Sequence, residues 1–183
     1  MNHVLIYADG AASPNPGRGG YGVVLIRDGH RQELSGGVRL TTNNRMEILG
    51  AIMGLRALAA FQTEGGGAAP NLKATLYSDS KYVVDMYNGG YAEKWRQNGW
   101  TRNNGKDKAL NPDLWNDLLN LAAQHDVEMV WVRGHAENVE NARCDELAVA
   151  ARQGPDLPVD EGYETPARSD RPVARQGLLF DWV

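Results

Sequence analysis

The chain has 183 residues, the length of one ordinary domain and enough to bury a substantial core. A single cysteine, Cys144, excludes an internal disulfide framework and any zinc site built from several thiolates. The apolar runs are too short to span a membrane, and the N-terminus lacks the basic and apolar regions of a signal peptide. We therefore expect a cytoplasmic protein without a membrane partner.

The charge of the chain is unevenly distributed. The formal net charge of −4 at pH 7 argues weakly against a nucleic-acid partner. Residues 81–108, however, contain six basic and three acidic side chains, whereas residues 109–151 contain two basic and eight acidic ones. The basic segment also contains Tyr91, Trp95 and Trp100, and it stands out on an acidic chain.

The first part of the chain predicts three strands. Residues 4–8 are an apolar, β-branched and aromatic run typical of a buried strand, which we expect to end at Asp9. A loop rich in Ser, Asn, Pro and Gly follows, and strands at 21–27 and 30–38 are joined by a hairpin turn at Asp28-Gly29. Residues 17–22 fit the G-x-G-x-x-G pattern but lead into a strand, which argues against a dinucleotide site. We expect these glycines to serve a tight turn and a close backbone approach, and we expect no organic cofactor.

Helical and strand patterns alternate in the remainder. We predict a helix at 42–61 that Thr42 or Asn44 could cap, a surface loop at 64–70, a strand at 72–77, helices at 81–87 and 112–124, a strand at 127–132 and a last helix at 140–152. Residues 91–111 form a Gly- and Asn-rich excursion. This order predicts an α/β sheet in a domain of residues 1–152, followed by a Pro-rich and irregular C-terminal extension of residues 153–183.

Four acidic residues stand at the ends or in the first turns of separate elements: Asp9, Glu47, Asp79 and Asp145. Carboxylates that converge from separate elements repel one another, and a divalent cation relieves that repulsion. An all-oxygen set points to Mg²⁺ or Mn²⁺ rather than to zinc. Each acid also has a purely structural interpretation. Asp9 suits a turn, Glu47 could close a capping box with Asn44, Asp79 could cap the next helix, and Asp145 could be a solvated helix charge.

A histidine in a loop is ambiguous in the same way. His135 follows Arg133-Gly134, and a lone loop histidine is usually an ordinary surface residue. The neighbouring glycine favours a mobile loop, which suits a side chain that carries protons near pH 7.

Several short motifs follow one another in a characteristic order: Tyr7-Ala8-Asp9-Gly10, Asn15-Pro16-Gly17, Gly19-Gly20-Tyr21-Gly22, Thr41-Thr42-Asn43-Asn44-Arg45-Met46-Glu47, Ser78-Asp79-Ser80-Lys81-Tyr82-Val83, Asn98-Gly99-Trp100, Asp113-Leu114-Trp115, Trp131-Val132-Arg133-Gly134-His135-Ala136 and Asn141-Ala142-Arg143-Cys144-Asp145-Glu146-Leu147-Ala148. Together they resemble the type 1 bacterial ribonuclease H family over residues 1 to about 152. The resemblance implies a ribonuclease H-like α/β fold. Its five-stranded mixed sheet has an antiparallel hairpin at one side, parallel strands at the other and helices on both faces.

The resemblance implies an endonuclease that hydrolyses the RNA strand of RNA–DNA hybrids and leaves 5′-phosphate and 3′-hydroxyl ends. Such a monomeric enzyme would remove RNA from hybrids such as replication primers and R-loops. The family's catalysis uses two Mg²⁺ ions, for which Mn²⁺ substitutes, and by resemblance Asp9, Glu47, Asp79 and Asp145 hold them. One ion would activate the attacking water and the other would stabilise the leaving 3′-oxygen. His135 would assist proton transfer or product release.

The resemblance also implies substrate contacts. Asn15, Asn43 and Asn44 resemble the family's contacts to RNA 2′-hydroxyls and base edges, and Thr42 resembles its contact to a DNA-strand phosphate. Residues 91–111 resemble the family's handle, in which tryptophans pack or stack and basic side chains meet phosphates. The substrate-binding residues expected in and beside the handle are Lys81, Lys94, Trp95, Arg96 and Trp100. The alternative to a substrate-binding handle is that the two tryptophans simply pack, as aromatic side chains commonly do, and that the charged side chains are solvated.

Two other functions remain open at this point. A related nuclease of the same superfamily could cut DNA, although the asparagines and the handle argue against it. A catalytically silent module could bind hybrids without cutting them, although the presence of all four acids argues against it. Cleavage of duplex DNA would favour the first, and hybrid binding without cleavage in Mg²⁺ would favour the second.

Overall fold

The structure is a computed structural model that describes residues 3–60, 72–134 and 138–165. The strands are β1 (His3–Ser13), β2 (Gly17–Arg27), β3 (His30–Thr41), β4 (Lys73–Ser78), β5 (Thr101–Arg102), β6 (Asp107–Lys108) and β7 (Asp126–Trp131). The helices are α1 (Asn43–Ala60), α2 (Lys81–Asn88), α3 (Tyr91–Gln97), α4 (Pro112–Ala122), α5 (Val139–Ala151) and α6 (Glu161–Glu164). None of the helices in these ranges is long and apolar enough to cross a membrane.

The main sheet has five strands in the order β3-β2-β1-β4-β7. β1, β2 and β3 are antiparallel neighbours, whereas β4 lies parallel to β1 and β7 lies parallel to β4. The hairpin turn between β2 and β3 lies at Asp28-Gly29, where both residues have positive φ angles of 48° and 81°. Positive φ at both positions is the geometry that favours an Asp-Gly sequence. The predicted mixed sheet with its antiparallel hairpin is confirmed.

Helices pack on both faces of the sheet, and the glycines of β2 show how. A Cβ on Gly19 would overlap the side chain of Thr41, just before α1, whereas a Cβ on Gly20 would overlap the carbonyl oxygen of Ala148 on α5. Because successive residues of a strand face opposite sides, α1 and α5 cover opposite faces. Gly22 likewise lies against the carbonyl oxygen of Cys144 on α5. The close backbone approach expected for these glycines is confirmed.

Two predicted strand boundaries are wrong. β1 runs past Asp9 to Ser13, and β2 begins at Gly17, so most of the expected glycine loop is strand. The reason is the antiparallel pairing of β1 with β2, which continues to Ser13 opposite Arg18. Only the parallel pairing of β1 with β4 stops earlier, at Tyr7. Asp9 therefore lies inside a strand, just beyond the end of its parallel neighbour.

Three further predictions need correction. α1 begins at Asn43, so Asn44 is inside the helix and cannot cap it, and the predicted capping box with Glu47 is wrong. Instead, the hydroxyl of Thr42 accepts a hydrogen bond from the amide of Arg45 at 3.4 Å. The handle contains α3 and the two-stranded sheet of β5 and β6, which were not predicted. Of the C-terminal extension the structure describes residues 153–165, and there one helical turn, α6, follows the buried Asp160 where no regular element was expected. The predicted loop at 64–70 lies outside the described residues.

Candidate active site

Two adjacent strands and one helix bring three carboxylates together. β1 and β4 are parallel and in register from His3 opposite Lys73 to Tyr7 opposite Tyr77. Two residues further on, Asp9 is still on β1 and Asp79 is the first residue after β4. Gly10 then lets α1 approach, because a Cβ there would overlap the backbone of Met46 and Glu47. The missing side chain at Gly10 thus places Glu47 beside Asp9.

The oxygens of Asp9, Glu47 and Asp79 form one cluster, with one carboxylate oxygen from each lying within 4.8 Å of the others. Asp9 is only 8% exposed. Burial raises the pKa of Asp9 most, and the charges of Asp79 and Asp145 raise it further. The hydrogen bond that Asp9 accepts from the Gly10 amide lowers it, and the resulting pKa is about 7. Burial and the charges of Asp9 and Asp79 raise the pKa of Glu47 well above its ordinary value. Asp9 and Glu47 therefore bind protons more tightly than isolated carboxyl groups do.

The same cluster fits a divalent cation. Its donor set consists of hard carboxylate oxygens, the ligands that Mg²⁺ and Mn²⁺ prefer. One of these oxygens, Oε2 of Glu47, is buried and has no hydrogen-bond partner among the described residues. A buried, unsatisfied carboxylate oxygen is costly unless another group pairs with it, and a bound cation would do so.

The fourth predicted ligand stands apart from this cluster. Asp145 lies on α5, is partly exposed, and does not join the group of oxygens within 4.8 Å. Its charge nevertheless contributes to the raised pKa of Asp9, so α5 brings it within electrostatic reach of the cluster. The structure thus brings together three of the four predicted acids and places the fourth beside them.

Asn141 is a residue of this site that the sequence analysis did not single out. It is buried on α5, and its Nδ2 donates to Oδ2 of Asp79 at 3.3 Å. It lies one helical turn before Asp145, so both face the same side of α5. That spacing of four residues from a predicted ligand is the signal that could have identified it. Gly134 packs against the same carboxylate, because a Cβ there would overlap Oδ2 of Asp79.

The predicted sugar-contacting residues lie together at the start of α1. The amide of Asn43 donates to Oδ1 of Asn15 at 3.2 Å, and Oδ1 of Asn43 accepts from the amide of Ala12 at 2.6 Å. Asn15, Asn43 and Asn44 are exposed and Thr42 is partly exposed. These residues therefore form one accessible patch at the start of α1, the helix that also carries Glu47.

The handle forms a second surface. A groove of about 850 Å³ is lined there by Lys94 and Trp95 together with Tyr91, Asn98, Thr101, Arg102, Asn103, Asn104 and Gly105. Trp95 also packs edge-on against the buried Trp115, with ring centroids 6.4 Å apart, and Trp100 is partly buried against the core. Both tryptophans therefore pack against the core, which fits either interpretation, and Trp95 also lines the groove.

The remaining predicted residues differ in their environment. Arg96 pairs with Glu93 at 2.5 Å and donates to Asn120 at 3.0 Å, so its charge is partly neutralised. The Nζ of Lys81 lies 4.9 Å from the ring centroid of Trp131, whose Nε1 donates to the carbonyl oxygen of Asp79. Lys81 thus belongs to the acidic cluster's surroundings rather than to the handle. His135 lies outside the described residues.

Comparison with known proteins decides the family. Residues 1–153 match the family model described as RNase H. The chain belongs to the RNase H family. It is 56% identical over 161 residues to ribonuclease H of Rippkaea orientalis (strain PCC 8801 / RF-1). The aligned residues cover 88% of this chain and 92% of that protein. It is therefore a ribonuclease H enzyme, and all four acids lie within the matched residues.

Solved structures agree with this assignment. LC9-RNase H1, a type 1 RNase H with the type 2 active-site motif, has a TM-score of 0.68 and 31% identity over 90% of this chain and 80% of its own. LC11-RNase H1, solved in complex with RNA/DNA hybrid, has a TM-score of 0.62 and 24% identity over 82% of this chain and 96% of its own. The predicted family and fold are confirmed, and the fold of this RNase H brings Asp9 and Glu47 together with Asp79, which follows the last residue of β4.

Proposed function

We propose that this ribonuclease H is an endonuclease that hydrolyses the RNA strand of RNA–DNA hybrids with two Mg²⁺ ions and leaves 5′-phosphate and 3′-hydroxyl ends. The observation that carries the proposal is the cluster of Asp9, Glu47 and Asp79 with the unpartnered buried oxygen of Glu47. Mn²⁺ is expected to substitute for Mg²⁺, because both are hard cations that take oxygen ligands. The same family fold occurs in LC11-RNase H1, which was solved with a hybrid, so a hybrid is the substrate to test.

The chain's own residues hold the reacting groups. Asp9 lies on β1, Asp79 follows the last residue of β4 and Glu47 lies on α1, so their carboxylates are placed rigidly, and Asp145 on α5 is proposed to complete the set. Asn141 restrains the carboxylate of Asp79 through its Nδ2. When bound, the cations supply an activated water and stabilise the charge that develops on the leaving 3′-oxygen. His135 is proposed to move a proton during hydrolysis or product release.

Two surfaces are proposed to hold the duplex. Asn15, Asn43 and Asn44 offer amide groups that can hydrogen-bond to 2′-hydroxyls, which distinguish RNA from DNA. Thr42 is proposed to contact a phosphate of the DNA strand. In the handle, Lys94 and Trp95 line one groove, with a cationic group for phosphates beside an aromatic face. Affinity for the hybrid should therefore fall as salt is added.

The test compares four labelled substrates: RNA–DNA hybrid, double-stranded RNA, double-stranded DNA and single-stranded RNA. We expect Mg²⁺-dependent cutting of the RNA strand in the hybrid alone, its loss in chelator and its recovery with Mg²⁺ or Mn²⁺. Asp9→Asn and Asp79→Asn should abolish cleavage but retain binding, whereas Asp85→Asn, the same change at an exposed site on α2, should cut like the parent. Cleavage in excess chelator, or Asp9→Asn within about tenfold of the parent rate, would contradict the proposal.

A further inference from the structure

The segment proposed to contact the substrate, residues 42–44, is bracketed by two residues that share one partner. Oγ1 of Thr41 donates to Oδ2 of Asp160 at 2.6 Å. Nε of Arg45 donates to the same oxygen at 2.7 Å, and its Nη2 donates to Oδ1 of Asp160 at 2.7 Å. Asp160 therefore fixes the chain on both sides of residues 42–44.

The contact between Arg45 and Asp160 is buried, and the remaining donors of the Arg45 guanidinium also have partners. The side chain of Arg45 is 4% exposed and that of Asp160 is 9% exposed. The other guanidinium donors reach Asp113 at 3.0 and 2.7 Å and Oδ1 of Asn111 at 3.5 Å. All five N–H groups of the guanidinium thus have acceptors, which holds Arg45 in one orientation.

The segment that contains Asp160 is itself attached to β3. The amide of Arg39 donates to the carbonyl oxygen of Pro158 at 2.9 Å, and the Arg39 guanidinium pairs with Glu164 at 2.8 Å. Gly162 lies directly over the buried ion pair, because a Cβ there would overlap Oδ2 of Asp113. This attachment lies beyond residue 153, where the match to the family model ends.

We propose that Asp160 is a positioning residue for substrate recognition, acting through Thr41 and Arg45 on residues 42–44. The inference rests on the proposed function, because it assigns substrate contacts to those residues. Loss of the Asp160 carboxylate frees Thr41 and leaves Arg45 with one carboxylate, so the Asn43 and Asn44 side chains are no longer held for the ribose hydroxyls. Glu47 is held separately by its approach to Gly10, so the catalytic cluster should be affected less.

The test compares Asp160→Asn with the matched control Glu164→Gln. The control removes the exposed ion pair to Arg39 from the same segment but leaves Thr41 and Arg45 untouched. Steady-state cleavage of a labelled hybrid gives KM and kcat, and titration in chelator gives the affinities for hybrid and for duplex DNA of the same sequence. Circular dichroism and active-site titration correct each measurement for the folded fraction.

For Asp160→Asn we expect KM to rise about tenfold, the equivalent of one lost charge-assisted hydrogen bond, with kcat within about twofold of the parent. The preference for hybrid over duplex DNA in chelator should fall by a similar factor, and Glu164→Gln should match the parent. A purely structural role would lower the active fraction while the corrected kcat, KM and the preference stayed unchanged, and this result would overturn the inference. If the parent binds the hybrid but does not cut it, the proposed reaction fails, and the binding preference alone decides the role of Asp160.

Discussion

Removing the charge of Asp9 should stabilise the metal-free protein at alkaline pH. Asp9 is buried beside Glu47 and Asp79, and its pKa is raised from an ordinary 3.8 to about 7. The folded state therefore binds this proton more tightly than the unfolded chain does. The resulting stability is complete below about pH 4 and is lost as the pH rises through about 7.

The size of the effect follows from the two pKa values. The pKa values of Asp9 in the unfolded and folded states differ by roughly three units, which corresponds to about 4 kcal/mol of unfolding free energy. Roughly two of those units lie between pH 5 and the pKa in the folded protein. In chelator, the parent should thus lose about 2–3 kcal/mol of unfolding free energy between pH 5 and pH 8 through Asp9. Asp9→Asn should not show that loss, because Asn has nearly the same shape and no charge.

The assay is urea unfolding in chelator at several pH values, for the parent, Asp9→Asn and Asp85→Asn. Asp85 is exposed on α2, so its variant should follow the parent. Added Mg²⁺ at pH 8 should stabilise the parent more than Asp9→Asn, because ligand binding to the folded state adds to stability. Parallel pH profiles for the parent and Asp9→Asn would refute the electrostatic account of the cluster.

Three further outcomes are expected. Gly22→Ala should destabilise by about 2–3 kcal/mol in thermal or urea unfolding, because its Cβ would overlap a backbone carbonyl of α5. A Cβ on Gly29 would meet no atom within 4 Å, so Gly29→Ala should lower the unfolding free energy by only about 1 kcal/mol, through backbone strain. Equal losses of unfolding free energy in Gly22→Ala and Gly29→Ala would exclude overlap as the cause. Deleting residues 154–183 should lower unfolding free energy by about 3 kcal/mol, because Arg45 loses a buried partner, whereas deleting only 166–183 keeps that contact. A parent-like melting temperature for the longer deletion would contradict this. His135→Ala should slow turnover by about 10²–10⁴-fold with unchanged stability, and unchanged turnover would remove His135 from the mechanism.

The sequence alone determined the order of the main elements and the identity of the acids. The strands show apolar runs, α1 shows a helical period, and the Asp28-Gly29 pair predicts a hairpin, because each of these signals is local and independent of the rest of the chain. The resemblance placed Asp9, Glu47, Asp79 and Asp145 in one site. The structure brings the first three within 4.8 Å and leaves Asp145 beside them.

Tertiary packing decided what local signals could not. The glycines at 17–20 resemble a loop in sequence, yet they form a strand because β2 pairs with its two neighbouring strands there. Gly20 and Gly22 also leave room for the backbone of α5. Asn141 bonds to an acid 62 residues away, and Asp160 bonds to Arg45 across 115 residues, so neither partner can be seen in the surrounding sequence. A carboxylate in a Pro-rich tail resembles a solvated charge. Only the fold, by burying a guanidinium that needs acceptors on several sides, makes Asp160 part of the domain.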